Sequence, residues 1–458
     1  MASLLRSLHT AFLVSCMGAA SLSCGSGGDG AGGSSSSLAS AAGGFVEKDG
    51  NAVRARWSRD VVQSFVPTGR GKFTFPAPYN TEGVRLTTAS DCGGGDCVWY
   101  VGYSYWRNMN NHVNSDRMLV FLSFDRARGG GGPTLLSYNK VTDDVTVLGP
   151  LFDSSHPLSW ATGNGWYFSA SLPTALYIND GSKMLRYDVA TLQAQVVFDV
   201  SGQFGADRVV TQMYSSNDDQ VHSATLQSGS GEALGCLVYF EATGQFQWFP
   251  KAGDFDECQV DKSGRHLMIF EQLDGVYGFD NRYIDLSTGA EQRVYHLPGA
   301  GAIGHHDGGF GYVVGHDSFN PLPNASISRN LDASVSEGPV DHRDYNWDLQ
   351  QVQHISHTNA RASVPKEQQY ACGSNADRVS YAQNEIICFP LDGSLRQLVV
   401  APVMTDLDAS GGSGGDYEKS PKGNLDVTGQ YFIWTTNLGG ARLDAFIVKV
   451  PAHLLYGT

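Results

Sequence analysis

The sequence predicts an all-β protein, a seven-bladed β-propeller of four-stranded antiparallel blades, and three observations carry that prediction. The first is composition. Among 458 residues there are 55 glycines. Short aromatic and β-branched runs alternate with Gly/Asn/Asp/Ser turns, and no long amphipathic helical pattern is visible. The second is a repeated hairpin. LLSYNKVTDDVTVL (135–148), LRYDVATLQAQVVF (185–198), LVYFEATGQFQWF (237–249), RYIDLSTGAEQRVY (282–295) and IICFPLDGSLRQLVV (386–400) each read as strand, short turn, strand. Their turns start near Asn139, Asp188, Glu241, Asp285 and Leu391, a spacing of about 50 residues with one doubled gap. A degenerate unit, SISRNLDASVSEG (326–338), fills the gap, and RLDAFIVKV (442–450) supplies a seventh. The third is an Asp-x-x-Gly turn ahead of a strand in VDKSGRHLMIF (260–270) and LDVTGQYFIW (425–434). A single blade cannot bury both of its faces, but a ring of blades buries each against the next. The doubled gap disfavours two stacked β-sandwiches.

In chain order, residues 1–24 read as a lipoprotein-type signal peptide. Arg6 precedes an apolar run from Ala11 to Leu22, which is too short to span a bilayer as a stable helix. Cys24 leads into GSGGDGAGGSSSS, so residues 25–47 form a flexible Gly/Ser-rich tether. The tether favours Cys24 over Cys16 as the lipidated residue, and cleavage with release is the alternative. Residues 48–72 are a lead-in or a closing strand, and 73–458 are the propeller. The expected location is the cell envelope, as a lipoprotein, or outside the cell. Contact with a membrane is expected through the lipid anchor only.

Six cysteines remain and form three local pairs, 92/97, 236/258 and 372/388. Sequential pairing is the simplest of fifteen connectivities, with each bridge inside one structural unit. A zinc–thiolate site is disfavoured because CGGGDC has no second pair at ligand spacing.

The net charge is −15, from 31 basic and 46 acidic residues. This excludes nucleic acid as a partner, because that binding rests on Lys/Arg contacts to phosphate. The expected partner is a carbohydrate or another extracellular ligand, met by a monomer. GGSGG (411–415) lacks the strand–turn–helix of a nucleophile elbow, and GAGAIG (299–304) runs into a strand instead of a helix. The sequon at Asn324 is set aside for a bacterial-style lipoprotein.

Six of the 13 histidines fall between residues 305 and 357, in GHHDGG (304–309), His316, His342 and QVQHISHTNAR (351–361). Imidazole suits divalent metals and proton transfer near neutral pH. On an extended strand His305 and Asp307 share a face. Gln351, His354 and His357 are three apart, so they converge only from a helical turn or an irregular loop. Hydrogen bonding to neighbouring turns is the competing role for these histidines. A mixed His/Asp/Gln site suits manganese, zinc or another borderline ion. A second constellation, SYWRNMNNHVNSDR (104–117), offers Tyr105, Arg107, Asn110, Asn111 and His112 and reads as a sugar-binding rim loop or an Asn-rich turn. His222 and His156 project from other blades with less support.

The stretches LYINDGSKMLRYDVATLQAQVVFDV, VDKSGRHLMIF and LDVTGQYFIWTTN resemble the blades of TolB-like and oligogalacturonate-lyase-like propellers. The resemblance implies a divalent metal near the axis, held by histidines and a glutamine from adjacent blades. Gln351, His354 and His357 are similar in type and order to part of that set, with His305 one blade earlier. No counterpart of the family's arginine base can be placed. Two functional classes follow. One is a polysaccharide lyase acting on uronate-containing glycans by β-elimination. Its metal ligands would be His305, Gln351, His354 and His357, Arg361 would pair with the substrate carboxylate, and His112 or Tyr105 would serve as base. The other is a non-catalytic propeller that binds a glycan or a partner protein.

Overall fold

In a computed structural model of the protein, the described residues are 41–47, 54–99, 101–110, 112, 115–152, 165–276, 278–298, 300–317, 325–343, 354–378, 384–412 and 414–456. The expected signal, lipidated cysteine and most of the tether lie outside them, as do Gln351, Asn111 and His156.

Seven antiparallel sheets follow one another along the chain. Blade 1 contains Met109–Asn110, Arg117–Phe124, Gly132–Asn139 and Val145–Pro150. Blade 2 contains Tyr167–Phe168, Ala175–Asp180, Lys183–Asp188 and Gln193–Asp199, and blade 3 contains Val209–Ser215, Val221–Gln227, Ala233–Phe240 and Gln245–Pro250. Blade 4 contains Asp254–Val260, His266–Gln272, Asp280–Asp285 and Glu291–Val294. Blade 5 contains Gly304–Gly308, Tyr312–Asp317, Ala325–Asn330 and Val340–Arg343. Blade 6 contains His354–Ser356, Tyr370–Ser374, Glu385–Pro390 and Gln397–Pro402, and Phe45–Glu47 adds a fifth strand at its edge. Blade 7 contains Asn424–Leu425, Tyr431–Thr436 and Asp444–Lys449.

The repeated hairpins are the third and fourth strands of blades 1 to 6. Residues 442–450 supply only a third strand. Its outer neighbour comes from the other end of the sequence, where Gly83, Val84 and Arg85 pair with Val448, Ile447 and Phe446. Gly71–Thr74 pairs outside that closing strand. A buried ion pair pins the seam, with Arg85 Nη2 2.6 Å from Asp444 Oδ2, and Thr87 Oγ1 donates to Asp444 Oδ1 at 2.9 Å. Within residues 48–72 the described part forms the helix Arg59–Phe65 and leads into the Gly71–Thr74 strand.

The Asp-x-x-Gly turns join first to second strands. Asp261 Oδ1 accepts the backbone N–H of Arg265 and of His266, both at 3.0 Å. Asp426 accepts those of Thr428 and Tyr431 at 2.9 and 2.7 Å. Gly264 and Gly429 sit at φ +72° and +77°, where a side chain would be strained.

The core lies between blades. Tyr177, Val210, Leu237, Val260 and Ile269 form one buried cluster across blades 2 to 4, and Leu398, Trp434, Phe446 and Phe75 join blades 6 and 7 to the N-terminal segment. The cysteines pair sequentially, 92–97, 236–258 and 372–388. One bridge differs from expectation. Cys236 lies on the third strand of blade 3 and Cys258 on the first strand of blade 4, so this disulfide ties two blades together. Three disulfides fit an oxidising compartment. Among the described residues no helix is long and apolar enough to cross a membrane.

Candidate functional site: the axial channel

The first strand of each blade lines the axis, and these strands run in one direction. Residues at their starts meet each other, as do residues at their ends. His305 and His354, at the starts of blades 5 and 6, have ring centroids 4.8 Å apart. Asp307 and His357, near the ends of the same strands, are joined by a 2.6 Å hydrogen bond from the His357 N–H to Asp307 Oδ2. The channel therefore has an imidazole end and a lysine end.

At the imidazole end, Tyr103 packs edge-on to His354 at 4.7 Å and lies 6.2 Å from His305. His316 stacks on His305 at 6.1 Å. Tyr417 and the buried Lys422 complete the lining, with the Lys422 ammonium 3.8 Å from the Tyr417 ring centroid. Burial holds Lys422 down to about 7. Desolvation, then the neighbouring His316 and Lys422, pushes His305 down to about 3, so its imidazole is neutral and in the form that binds a metal. His305 Nδ1 has no hydrogen-bond partner among the described residues.

A backbone irregularity sets this arrangement. The pairing register shifts between Gly304 and Asp307, and His305 takes φ +43°. A bulge breaks strand alternation. His305 faces the channel end, while His306 turns into the sheet and stacks on Phe270 with centroids 3.8 Å apart. His305 and Asp307 therefore do not share a site, as simple alternation had implied. Blades 3 and 4 carry register shifts in the same strand, between Thr211 and Tyr214 and between Phe255 and Glu257.

Deeper in, Tyr105 reaches across from blade 1 and its hydroxyl donates to Glu257 Oε2. His306 Nδ1 lies 3.8 Å from Glu257 Oε1. Burial, with repulsion from Asp256, pushes Glu257 up to about 8, while Tyr105 opposes the shift. Burial also raises Tyr105 well above the usual phenol range and lowers His306 well below the usual imidazole range. The segment expected as a rim loop is thus a buried turn that leads into the short inner strand Met109–Asn110. Tyr105, Trp106, Arg107, Asn108 and Asn110 are all buried. Its asparagines tie blades together, with Asn424 Nδ2 donating to Asn108 Oδ1 at 2.9 Å and Asn110 Nδ2 donating to Pro173 O.

At the lysine end, Lys262 Nζ donates to Asp307 Oδ1 at 2.5 Å, and both side chains are fully buried. Tyr214 donates to the same Asp307 oxygen at 3.1 Å. His357 is engaged at both ring nitrogens. Nε2 pairs with the Tyr312 hydroxyl at 2.7 Å, and Nδ1 meets Tyr370 O at 2.9 Å and Asn359 Oδ1 at 3.2 Å.

Of the residues expected at the site, the structure brings His305 and His354 together and Tyr105 below them. His357 is separated from the pair because it lies three residues beyond His354, past the end of a strand. Arg361 and His112 follow the far ends of their inner strands, toward the lysine end. Arg361 is exposed, and its backbone is held by Gln369, which accepts from its N–H at 2.9 Å and donates to its carbonyl at 3.1 Å. His112 accepts through its carbonyl from Lys140 Nζ at 3.5 Å. His222 pairs with Ser215 at 2.6 Å and Glu241 at 2.8 Å, and His342 with Ser328 at 2.7 Å. The sequence did not single out Tyr103, Glu257, Lys262, Tyr417 or Lys422, because only Glu257 lies on an inner strand and nothing local marks the turns, loops and short helix that carry the others as axial.

A separate group, His266, Asp285 and Asp332, places one ligand-type atom from each within 4.8 Å of the others. Arg265 lies among them, 2.9 Å from Asp285 and 2.7 Å from Asp332, and supplies positive charge where a cation would sit.

No protein-family model matches the chain, and neither does any curated protein sequence. Solved structures do. The chain is similar to the oligogalacturonate lyase of Vibrio parahaemolyticus, with 10% identity, 85% of this chain and 98% of that chain covered, and a TM-score of 0.58. It is similar to an oligogalacturonate lyase in complex with manganese, with 13% identity, the same 85% and 98% coverage, and a TM-score of 0.56. TolB from Acinetobacter baumannii matches at 10% identity over 68% of this chain and 64% of that one, with a TM-score of 0.33. The fold is a seven-bladed β-propeller, a fold it shares with the two oligogalacturonate lyases.

Proposed function

We propose that the protein is an envelope-anchored or secreted polysaccharide lyase that cleaves uronate-containing glycans by metal-assisted β-elimination. The observation that carries this reading is the meeting of His305 and His354 from adjacent blades at one end of the channel. They are neighbours on a fold shared with a manganese-bound lyase. The neutral His305 ring with its unpartnered Nδ1 fits a divalent ion. His305 and His354 would hold it, with Gln351 as an oxygen ligand from the segment just before the His354 strand. When bound, such an ion neutralises the uronate carboxylate and acidifies the adjacent C–H.

The remaining work falls to this chain's own groups. In β-elimination a base takes the proton α to the carboxylate, the electron pair forms the C4–C5 double bond, and the C4 oxygen leaves with its glycan. Glu257 and Tyr105 form the acid–base pair of the channel, joined by a hydrogen bond. The raised Glu257 carboxyl is a stronger base than an exposed carboxylate once it ionises. Tyr103 and Tyr417 offer ring faces on which a sugar can pack.

The test pairs metal analysis of the purified protein with ultraviolet detection of the unsaturated uronate on a panel of acidic glycans. Stoichiometric metal, lost in His354→Ala, and activity reduced about 100-fold or more in Glu257→Gln are expected. A protein that holds no metal and makes no unsaturated product would shift the reading to a glycan-binding propeller without catalysis. The near-complete burial of Tyr105, 2% exposed at the channel, favours that second reading.

A further inference from the structure

Between the two ends of the channel lies a buried cation that the proposed reaction does not use. Arg107 is fully buried two residues before the inner strand of blade 1, Met109–Asn110. Its Nε donates to Phe168 O of blade 2 at 2.8 Å, and its guanidinium lies 5.4 Å from the Tyr167 ring centroid. Both terminal nitrogens lack a hydrogen-bond partner among the described residues, and none of the described carboxylates lies within ion-pair distance. A buried guanidinium left unmatched is strongly disfavoured by desolvation, so its donors require an acceptor.

The surroundings restrict what that acceptor is. Tyr167 and Tyr214, 6.0 Å apart, wall the site from blades 2 and 3. Lys262 of blade 4 is close enough that Arg107 adds to the larger effect of burial in lowering its proton affinity. The one carboxylate paired with Lys262, Asp307, also accepts from Tyr214 and from the His357 N–H. Asp219 lies near Tyr167 and accepts through Oδ2 from Ser169 at 2.6 Å and from Ser171. Asp261 is engaged by Ser263 at 2.6 Å and by three backbone N–H groups. Asp307 thus serves Lys262, Tyr214 and His357, and none of these carboxylates is bonded to the Arg107 guanidinium.

We infer that the Arg107 guanidinium forms an internal binding site for one small monovalent anion, a halide or a carboxylate, in the middle of the channel. Two parallel N–H donors match a carboxylate fork, and the same donors accept a halide. A bulky sulfonate, larger than either, serves as the control for size. The site is independent of the metal reading, because it involves neither His305 nor His354.

The experiment is thermal unfolding of the intact protein titrated with bromide or acetate, against a bulky sulfonate at equal ionic strength. The wild type is expected to show a saturable rise in Tm of about 2 °C or more with at least one of the small anions. Arg107→Gln should lose the saturable part and Arg107→Lys should keep some of it. A response to bromide alone identifies a halide site, and a response to acetate alone or to both identifies a site open to carboxylates. The same saturable rise in Arg107→Gln, or no saturable rise in the wild type, overturns the inference. Should Arg107→Gln fail to fold, anomalous scattering from bromide-soaked wild-type crystals decides. A peak at the Arg107 terminal nitrogens supports the site, and its absence under bromide concentrations that saturate the Tm rise overturns it.

Discussion

The two ends of the axial channel are built from the same strands but spend their polar groups differently. At the lysine end, Asp307 takes Lys262, Tyr214 and the His357 backbone, and His357 fills both ring nitrogens. At the imidazole end, His305 keeps a nitrogen without a partner among the described residues, and Glu257 is held protonated up to about 8. Satisfied buried networks rigidify a fold, whereas groups left poised are where chemistry or binding is found. The contrast assigns stability to one end and reactivity to the other.

The largest expected effect is at the lysine end. Asp307→Ala strands a fully buried ammonium and should cost about 3–5 kcal/mol in denaturant unfolding. A loss under 1 kcal/mol would mean the pair is hydrated and the contrast is false. Cys236→Ser, which opens the bridge between blades 3 and 4, should cost about 2–4 kcal/mol. His357→Ala leaves the Tyr312 hydroxyl without its ring partner and the Tyr370 carbonyl with Asn359 Nδ2 as its remaining side-chain donor, for a loss of about 1–3 kcal/mol without a change in metal content. His354→Ala should do the reverse, and equal behaviour of the two variants would erase the distinction.

The pH dependence sharpens it further. Glu257 has a folded pKa raised to about 8, so its stabilising contribution is complete below the unfolded value near 4.5 and is lost as pH rises toward 8. His305 and His357, both lowered to about 3 chiefly by burial, contribute above the unfolded value near 6.5 and lose that contribution as pH falls. Tm measured from pH 4 to 9 should therefore fall on both sides, and Glu257→Gln should flatten only the alkaline limb. The smallest effect is expected at Arg361→Ala, within about 0.5 kcal/mol for an exposed side chain. Lost activity in that variant, with the fold intact, would move the site to the opposite face.

Much of the architecture was readable from the chain. Hairpins near Asn139, Asp188, Glu241, Asp285 and Leu391 repeat because each blade must place the same alternation against its neighbour. The Asp261 and Asp426 turns were legible because an aspartate that accepts two backbone N–H groups ahead of a left-handed glycine is a local device. The pairing of the cysteines was legible for the same reason of nearness. What Cys236–Cys258 connects was not, because a separation of 22 residues is compatible with one blade or two.

The site was legible as a region and illegible as a set. His305 and His354 were visible as imidazoles, and their blades followed from the repeat. The bulge at His305 was not, since it depends on pairing with the next strand. Sequence by itself determined the propeller, its blade count, its local cysteine pairs and the neighbourhood of its histidines, because these rest on periodicity and short-range turns. Only the tertiary structure decided that the N-terminal strand Glu82–Arg85 closes blade 7, that Tyr103 and Tyr105 cross the axis, and that His357 is bonded at both ring nitrogens while His305 Nδ1 has no partner among the described residues. Those outcomes depend on which inner strands face one another across the channel, and no local pattern in the chain encodes that.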